Sequence, residues 1–304
     1  MKKIIILFLT CCFLLPSYAF AEIEVVTTLS SFADIVRSIG GEKVHVQYLA
    51  PPRFNPHFIE PRPSDVLRLK RADLFVHAGL DLEAWRGPLL DAVGRSDFRA
   101  GGSKQLDLSQ GISLLEVPTG AISRAEGDIH MFGNPHYWLD PRNALIMAHS
   151  ISNKLKEIDS SSSEFYKKNE QQFSDLLSSK ILEWSKRAAK YKDAEFIGYH
   201  NEWIYLMSFL GFKMNQFLEP KPGIPPTPKQ LEFLQAYIPE HKVVALIQAT
   251  YFSKEAGEKL SRDSHLSLLL LCQNVGELPQ ASDYISMLEY NLNEIFSILE
   301  NRAK

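Results

Sequence analysis

Cysteine is nearly missing from this chain. Three occur in 304 residues, Cys11, Cys12 and Cys272, and the first two lie in an apolar leader. One thiol is then left for the folded protein, which excludes an internal disulfide and a four-cysteine zinc site. Beyond the leader there is no run of the ~20 apolar residues that a spanning helix needs. Nor is there a basic stripe, and the net charge is only −3, so nucleic acid is not an expected partner. A His-Glu-x-x-His helix, the zinc-peptidase arrangement, is absent as well.

The leader has the marks of a secretory signal. Lys2 and Lys3 precede an apolar run from Ile4 to Leu15, and Ala19-Phe20-Ala21 is a small-x-small cleavage site before Glu22. Residues 1–21 are therefore set apart from the fold. Cleavage at Cys11 or Cys12 as a lipoprotein would leave an unusually short signal, so the soluble reading is the stronger one. With such a signal and no disulfide, the expected compartment is a bacterial periplasm.

Two tripeptides dominate what is present. Arg53-Phe54-Asn55-Pro56-His57-Phe58-Ile59-Glu60-Pro61 and Gly133-Asn134-Pro135-His136-Tyr137-Trp138-Leu139-Asp140-Pro141 both place a histidine after Asn-Pro, with apolar or aromatic residues following and then an acid-proline pair. The prolines stiffen the backbone and stop a regular helix or central strand from running through. Each stretch reads as a rigid loop that holds an imidazole in place. A single histidine in a loop is usually just that, but two in matched settings point to two ligands of one metal.

The rest of the chain alternates strand and helix. Strands are expected at Glu24–Thr28, Val44–Leu49 and Leu74–His77. Helices are expected at Phe32–Ile39, from Pro63 onward and over about Leu82–Val93. Residues 101–133 read as loop. A helix over Arg142–Ile158 and a long one over Glu164 to about Lys190 follow, the latter with Phe165, Phe173, Leu176, Leu177, Ile181 and Trp184 towards one face. Strand-helix alternation then resumes, with strands at Glu195–Tyr199, Val243–Gln248 and Leu268–Leu271. Its helices are expected at Trp203–Leu210, Pro228–Ala236, Ser253–Leu260 and Tyr284–Glu300. The expected fold class is α/β, with two similar parallel-sheet lobes joined by one long rigid α-helix. The boundaries are 22–160 for the first lobe, 161–190 for the linking helix and 191–304 for the second lobe.

In such sheets ligands bind beyond the carboxyl ends of the strands, which is where His57 falls. His200, directly after a strand of the second lobe, occupies the corresponding place and is the third candidate ligand. Three imidazoles suit zinc and other borderline ions better than magnesium or calcium. His130 reads as an exposed loop residue, with an accessory ligand as the alternative. His77 reads as a core or strand-end residue, and His45, His149, His241 and His265 as residues away from any site. Glu60 and Asp140 are expected either to support an imidazole or to cap a loop. Tyr251 is expected to pack, and Glu219 sits in a stiff proline-dense loop.

On these motifs the chain resembles the periplasmic solute-binding proteins of zinc and manganese ABC transporters, the cluster 9 or A-I family. The resemblance rests on Val25-Val26-Thr27-Thr28, Tyr48-Leu49-Ala50-Pro51-Pro52 leading to His57, Pro63-Ser64-Asp65, Ala72-Asp73-Leu74, Asn134-Pro135-His136 and Tyr199-His200. It spans most of the mature chain. It implies a non-enzymatic carrier that takes zinc, with manganese as the alternative, into a cleft between the lobes and passes it to a membrane permease. Such a carrier is expected to be a monomer. His57 and His136 would be the first lobe's ligands and His200 the second lobe's. Many members add an aspartate from an Asp-Ser-Leu-Gly-like loop, where this chain has Gln273-Asn274-Val275-Gly276. The fourth ligand is left open between water, Glu219 and Glu277. The missing carboxylate favours zinc over manganese. A three-histidine zinc hydrolase and an adhesin are the remote alternatives.

Overall fold

In the computed structural model, residues 22–120 and 130–302 are described. The proposed signal at 1–21 lies outside them. The first lobe is built from β1 (Ile23–Thr27), α1 (Ser30–Gly40), β2 (Val44–Tyr48), α2 (Pro63–Arg71), β3 (Leu74–His77), α3 (Arg86–Val93) and β4 (Gln105–Asp107). Then come α4 (Pro141–Ile158) and α5 (Ser163–Ala188). The second lobe has β5 (Glu195–Gly198), α6 (Ile204–Leu210), β6 (Lys213–Phe217), α7 (Pro228–His241), β7 (Ala245–Ala249), α8 (Glu255–Ser264) and β8 (Ser267–Leu271), and the chain ends on α9 (Tyr284–Arg302).

Each lobe holds a four-stranded sheet, ordered β2-β1-β3-β4 in the first and β6-β5-β7-β8 in the second. All pairings within them are parallel. The order is the same in both when strands are counted from the start of each lobe, so the sequence's second round of strand-helix alternation is a structural repeat. Central strands are apolar on both faces because helices cover both sides. β3 and β7 accordingly have every residue buried.

Two strands escape the sequence pattern. β4 has only three residues, all half-buried, within the stretch read as loop. β6 is the edge strand Lys213-Met214-Asn215-Gln216-Phe217, whose first and third side chains are exposed, so its apolar content is too low to announce it. α3 starts later than expected, because Leu80 and Asp81 take positive φ of 51° and 60° and turn the chain before a helix can form. α7 runs on through Pro239.

α5 spans 26 residues, about 39 Å at helical rise. It buries Tyr166, Phe173, Leu177, Trp184 and Ala188. Leu176, expected inside, is 55% exposed, while Tyr166 takes an inward place that the sequence reading did not give it. One apolar core runs from the first sheet through α4, α5 and α9 to the inner side of the second sheet. A smaller cluster, with Ile197, Leu234, Leu246 and Leu260, occupies the other side of that sheet.

The lobes are stitched by directional bonds as well as by this core. Ser30 Oγ donates to Val275 O at 2.8 Å and Trp138 Nε1 to Gln273 O at 2.9 Å. Arg53 Nε donates to Glu277 O at 2.8 Å. Asp34 accepts from the Tyr284 amide at 2.8 Å, at the first residue of α9. Among the described residues no helix is long and apolar enough to cross a membrane.

Candidate metal centre

Both Asn-Pro-His turns use the same local device. Asn55 Oδ1 accepts the His57 amide at 3.0 Å, and Asn134 Oδ1 accepts the His136 amide at 3.1 Å. The asparagine closes a side-chain turn over the proline, and the histidine enters one turn of 3₁₀ helix (Pro56–Phe58) or directly precedes one (Tyr137–Leu139). Gly133, at φ 109°, opens the second turn in a conformation that L side chains rarely adopt. His200 is reached differently, two residues past the end of β5, and is buried there.

These placements bring three imidazoles together. The Nε2 atoms of His57 and His136 are 3.1 Å apart. One ring nitrogen from each of His57, His136 and His200 lies within 4.8 Å of the other two, and all three side chains are buried. Two nitrogens on one tetrahedral zinc, each ~2.0–2.1 Å from it, stand roughly 3.3 Å apart. The first-lobe pair therefore already has metal-binding spacing, with a His200 ring nitrogen within 4.8 Å of it.

The far nitrogens are held. His136 Nδ1 faces Asn134 Oδ1 at 3.0 Å, and His200 Nδ1 faces Glu219 Oε2 at 2.8 Å. Glu219 is fixed in turn by the Gly223 amide at 3.0 Å. An acceptor on Nδ1 sets the tautomer that leaves the Nε2 lone pair for a cation. Burial pushes the His57 and His136 imidazoles well below the usual histidine range, with the neighbouring histidines as the next cause. Both rings are thus kept neutral, the form a metal binds.

The remaining candidates sort by position. Glu219 lies behind His200, and Glu277 accepts Thr250 Oγ1 at 2.6 Å and the amides of Gln273 and Asn274 at 2.9 and 2.7 Å. Neither belongs to the group of mutually close donors, which among the described residues consists of the three histidines. Asp140 caps α4, accepting the Arg142 amide at 2.8 Å and pairing with that guanidinium. Glu60 is exposed. Tyr251 donates to Glu202 at 2.9 Å and stays behind the site. His77 is buried at the end of β3. His130 departs from its expected exposure, since its side chain is only 12% exposed and its ring centroid is 5.0 Å from that of His57. Trp138 packs beneath His136 at 5.5 Å, whereas Phe58 beside His57 is 65% exposed and gives that ring little cover.

Several supporting residues had no signal in the sequence. Asn134 Nδ2 donates to Asn201 O at 2.8 Å and to Glu116 Oε2 at 3.0 Å, tying a first-lobe turn to the residue after His200. Tyr205 OH donates to Asn134 O at 3.0 Å. Glu202, fully buried, accepts from Tyr251, Gln273 and the Ala249 amide, and burial holds its carboxyl well above the usual range.

Residues 25–297 match the family model described as ZnuA, zinc-uptake complex component A, periplasmic. The chain is 26% identical over 284 residues to the manganese ABC transporter substrate-binding lipoprotein PsaA of Streptococcus mitis, covering 90% of this chain and 88% of that one. It is 24% identical over 289 residues to the iron-binding protein YfeA of Yersinia pestis, covering 92% and 87%. A crystal structure of ZnuA superposes with TM-score 0.76 at 22% identity, covering 91% of this chain and 99% of that one. The structural likeness establishes the two-lobed α/β fold.

Proposed function

Because the chain belongs to the ZnuA family of substrate-binding components of metal ABC transporters, we propose that it captures zinc between its lobes on His57, His136 and His200 and delivers it to a membrane permease. The family is one of metal-transport binding proteins and not of enzymes, which removes the hydrolase alternative.

The observation that carries the choice of ligands is the convergence of three buried ring nitrogens within 4.8 Å, drawn from both lobes. The choice of zinc rests on donor chemistry. The cluster is all nitrogen, and both carboxylates considered for it are engaged elsewhere. Manganese prefers oxygen donors, and zinc accepts imidazole readily. The relatives include proteins named for manganese and for iron, so the cargo has to be decided by this chain's own donors.

The chain works as a periplasmic monomer released from a signal at 1–21, with lobes at 22–160 and 191–304 and a linking helix at 161–190. α5 and the repeated strand order support that division.

A competition titration on chelator-stripped mature protein tests the proposal. One zinc per chain is expected, bound far more tightly than manganese. His57→Ala, His136→Ala and His200→Ala are each expected to weaken zinc by more than the ~10–100-fold that loss of a supporting residue costs. Folded variants that bind zinc like the parent would sink the ligand assignment. A preference for manganese would sink the choice of cargo.

A further inference from the structure

His130 is not used by the three-histidine cluster, yet its placement is not that of a surface loop residue. Its Nδ1 faces Asp81 Oδ1 at 2.8 Å, and the other carboxylate oxygen, Oδ2, accepts the Met131 amide at 3.0 Å. Asp81 therefore grips both the ring and the backbone next to it, across 49 residues of sequence. The grip is built on an unfavourable turn, since Leu80 and Asp81 both have positive φ. Non-glycine residues are held there only where the surroundings demand it.

The other ring nitrogen, His130 Nε2, is buried and has no hydrogen-bond partner. A buried polar atom left so calls for an explanation. The ring lies beside the cluster, its centroid 5.0 Å from that of His57 and 6.3 Å from that of His136. Within the cluster the centroid spacings are 5.1, 5.6 and 5.7 Å. His130 thus stands as near to His57 as the other two histidines do. Its Nδ1 is held by a carboxylate as that of His200 is by Glu219.

Building on the zinc-capture reading above, we propose that His130, positioned by Asp81, is a fourth imidazole ligand that closes on the bound cation. The donor set then becomes four nitrogens, a closed tetrahedral shell of the kind zinc accepts and manganese does not favour. It also takes the place that the family resemblance gives to an aspartate, where this chain has Gln273-Asn274. Charge is compensated one step out: the Asp81 and Glu219 carboxylates stand behind His130 and His200, opposite a dication. A shell without bound water also leaves no position for hydrolytic chemistry.

Zinc-edge X-ray absorption on the zinc-loaded mature protein tests this without any variant. Outer-shell scattering from four imidazoles is expected, and three imidazoles with one oxygen would overturn the proposal. His130→Ala and His130→Gln are expected to lose one imidazole and at least tenfold in zinc affinity by competition titration. Asp81→Asn should keep four nitrogens and lose roughly 10–100-fold. Parent-like affinity in both His130 variants would also overturn the proposal. His136→Ala, measured alongside, separates the two failures. If it loses zinc while the His130 variants do not, only the fourth ligand falls. If it too binds like the parent, the cluster itself is not the site.

Discussion

The two lobes share a strand order but hold their histidines by different means. In the first lobe, His57 and His136 sit in rigid Asn-Pro-His turns. In the second, His200 stands two residues beyond a strand, and its ring is aimed by Glu219 from 19 residues away. The first lobe's pair already stands at 3.1 Å, so in the proposed site that lobe is the half built in advance. The second lobe contributes one ligand, backed by a carboxylate. A cation that met the first lobe alone would find the two neutral nitrogens of His57 and His136. The second lobe brings a further carboxylate, Glu219, behind its own imidazole. The difference separates two devices: local Asn-Pro-His turns present the rings of His57 and His136, and a contact distant in sequence aims the ring of His200.

That division is most sharply tested by removing the support and leaving the ligands. Asn134→Ala takes away the Nδ1 partner of His136 and, with it, the bond to Asn201 across the cleft. Glu219→Ala takes away the carboxylate behind His200. Each is expected to weaken zinc by about 10–100-fold, with Asn134→Ala at the upper end because it also loosens the joint between lobes. Competition titration with melting curves of the metal-free variants checks this. Equal losses with unchanged melting would mean that the Asn134 bridge does not couple the lobes.

The lobes should also respond oppositely to pH in the metal-free protein. In the first, burial and then the Arg86 charge push His77 down to about 4. As pH falls below 6.5, the unfolded chain gains a proton that the native ring refuses, so this lobe loses stability towards pH 4. In the second, burial outweighs the hydrogen bonds to Glu277 and pushes its carboxyl up to about 7. Below 4.5 both states are protonated. As pH rises from there to 7 the unfolded chain releases a proton that the native state keeps, so this lobe loses stability. The two slopes oppose each other between 4.5 and 6.5, each worth roughly 3 kcal/mol over its range. In thermal melts from pH 4.5 to 8, His77→Gln should leave stability falling steadily from pH 4.5 to 7, and Glu277→Gln should leave it rising from 4.5 to 6.5 and level above. A His77→Gln profile parallel to the parent's would show that the first lobe carries no such term.

Legibility in the sequence follows the same divide. The Asn-Pro-His turns are visible because their chemistry is local: asparagine, proline and histidine are neighbours in the chain. The central strands are visible because burial on both faces makes them continuous apolar runs. β6 is not, since an edge strand needs few apolar side chains, and β4 is too short to show a period. Leu176 lies outward and Tyr166, not assigned to the stripe, lies inward, because helical spacing alone does not say where the apolar stripe of a long helix is centred. Asp81, Glu116 and Glu202 stayed invisible for another reason. Each acts on a residue far off in sequence or between lobes, and nothing in its own neighbourhood marks it. Glu219 was noticed, but which way it faces depends on how its loop packs against β5.

The smallest expected effect compares the two turns with each other. Asn55 and Asn134 occupy the same place in the same tripeptide, and each accepts the amide of its histidine. Asn134 also faces its histidine's ring nitrogen, at 3.0 Å. Asn55→Ala should therefore cost only the turn, about 1 kcal/mol as for a lost helix cap, with a few-fold change in zinc affinity. Melting and competition titration of Asn55→Ala beside Asn134→Ala measure the gap. A wide gap assigns the binding energy to control of the ring, with the turn as its support. If Asn55→Ala matches Asn134→Ala in affinity, the backbone turn itself presents both imidazoles, and the first lobe's prearrangement is stiffness rather than hydrogen bonding.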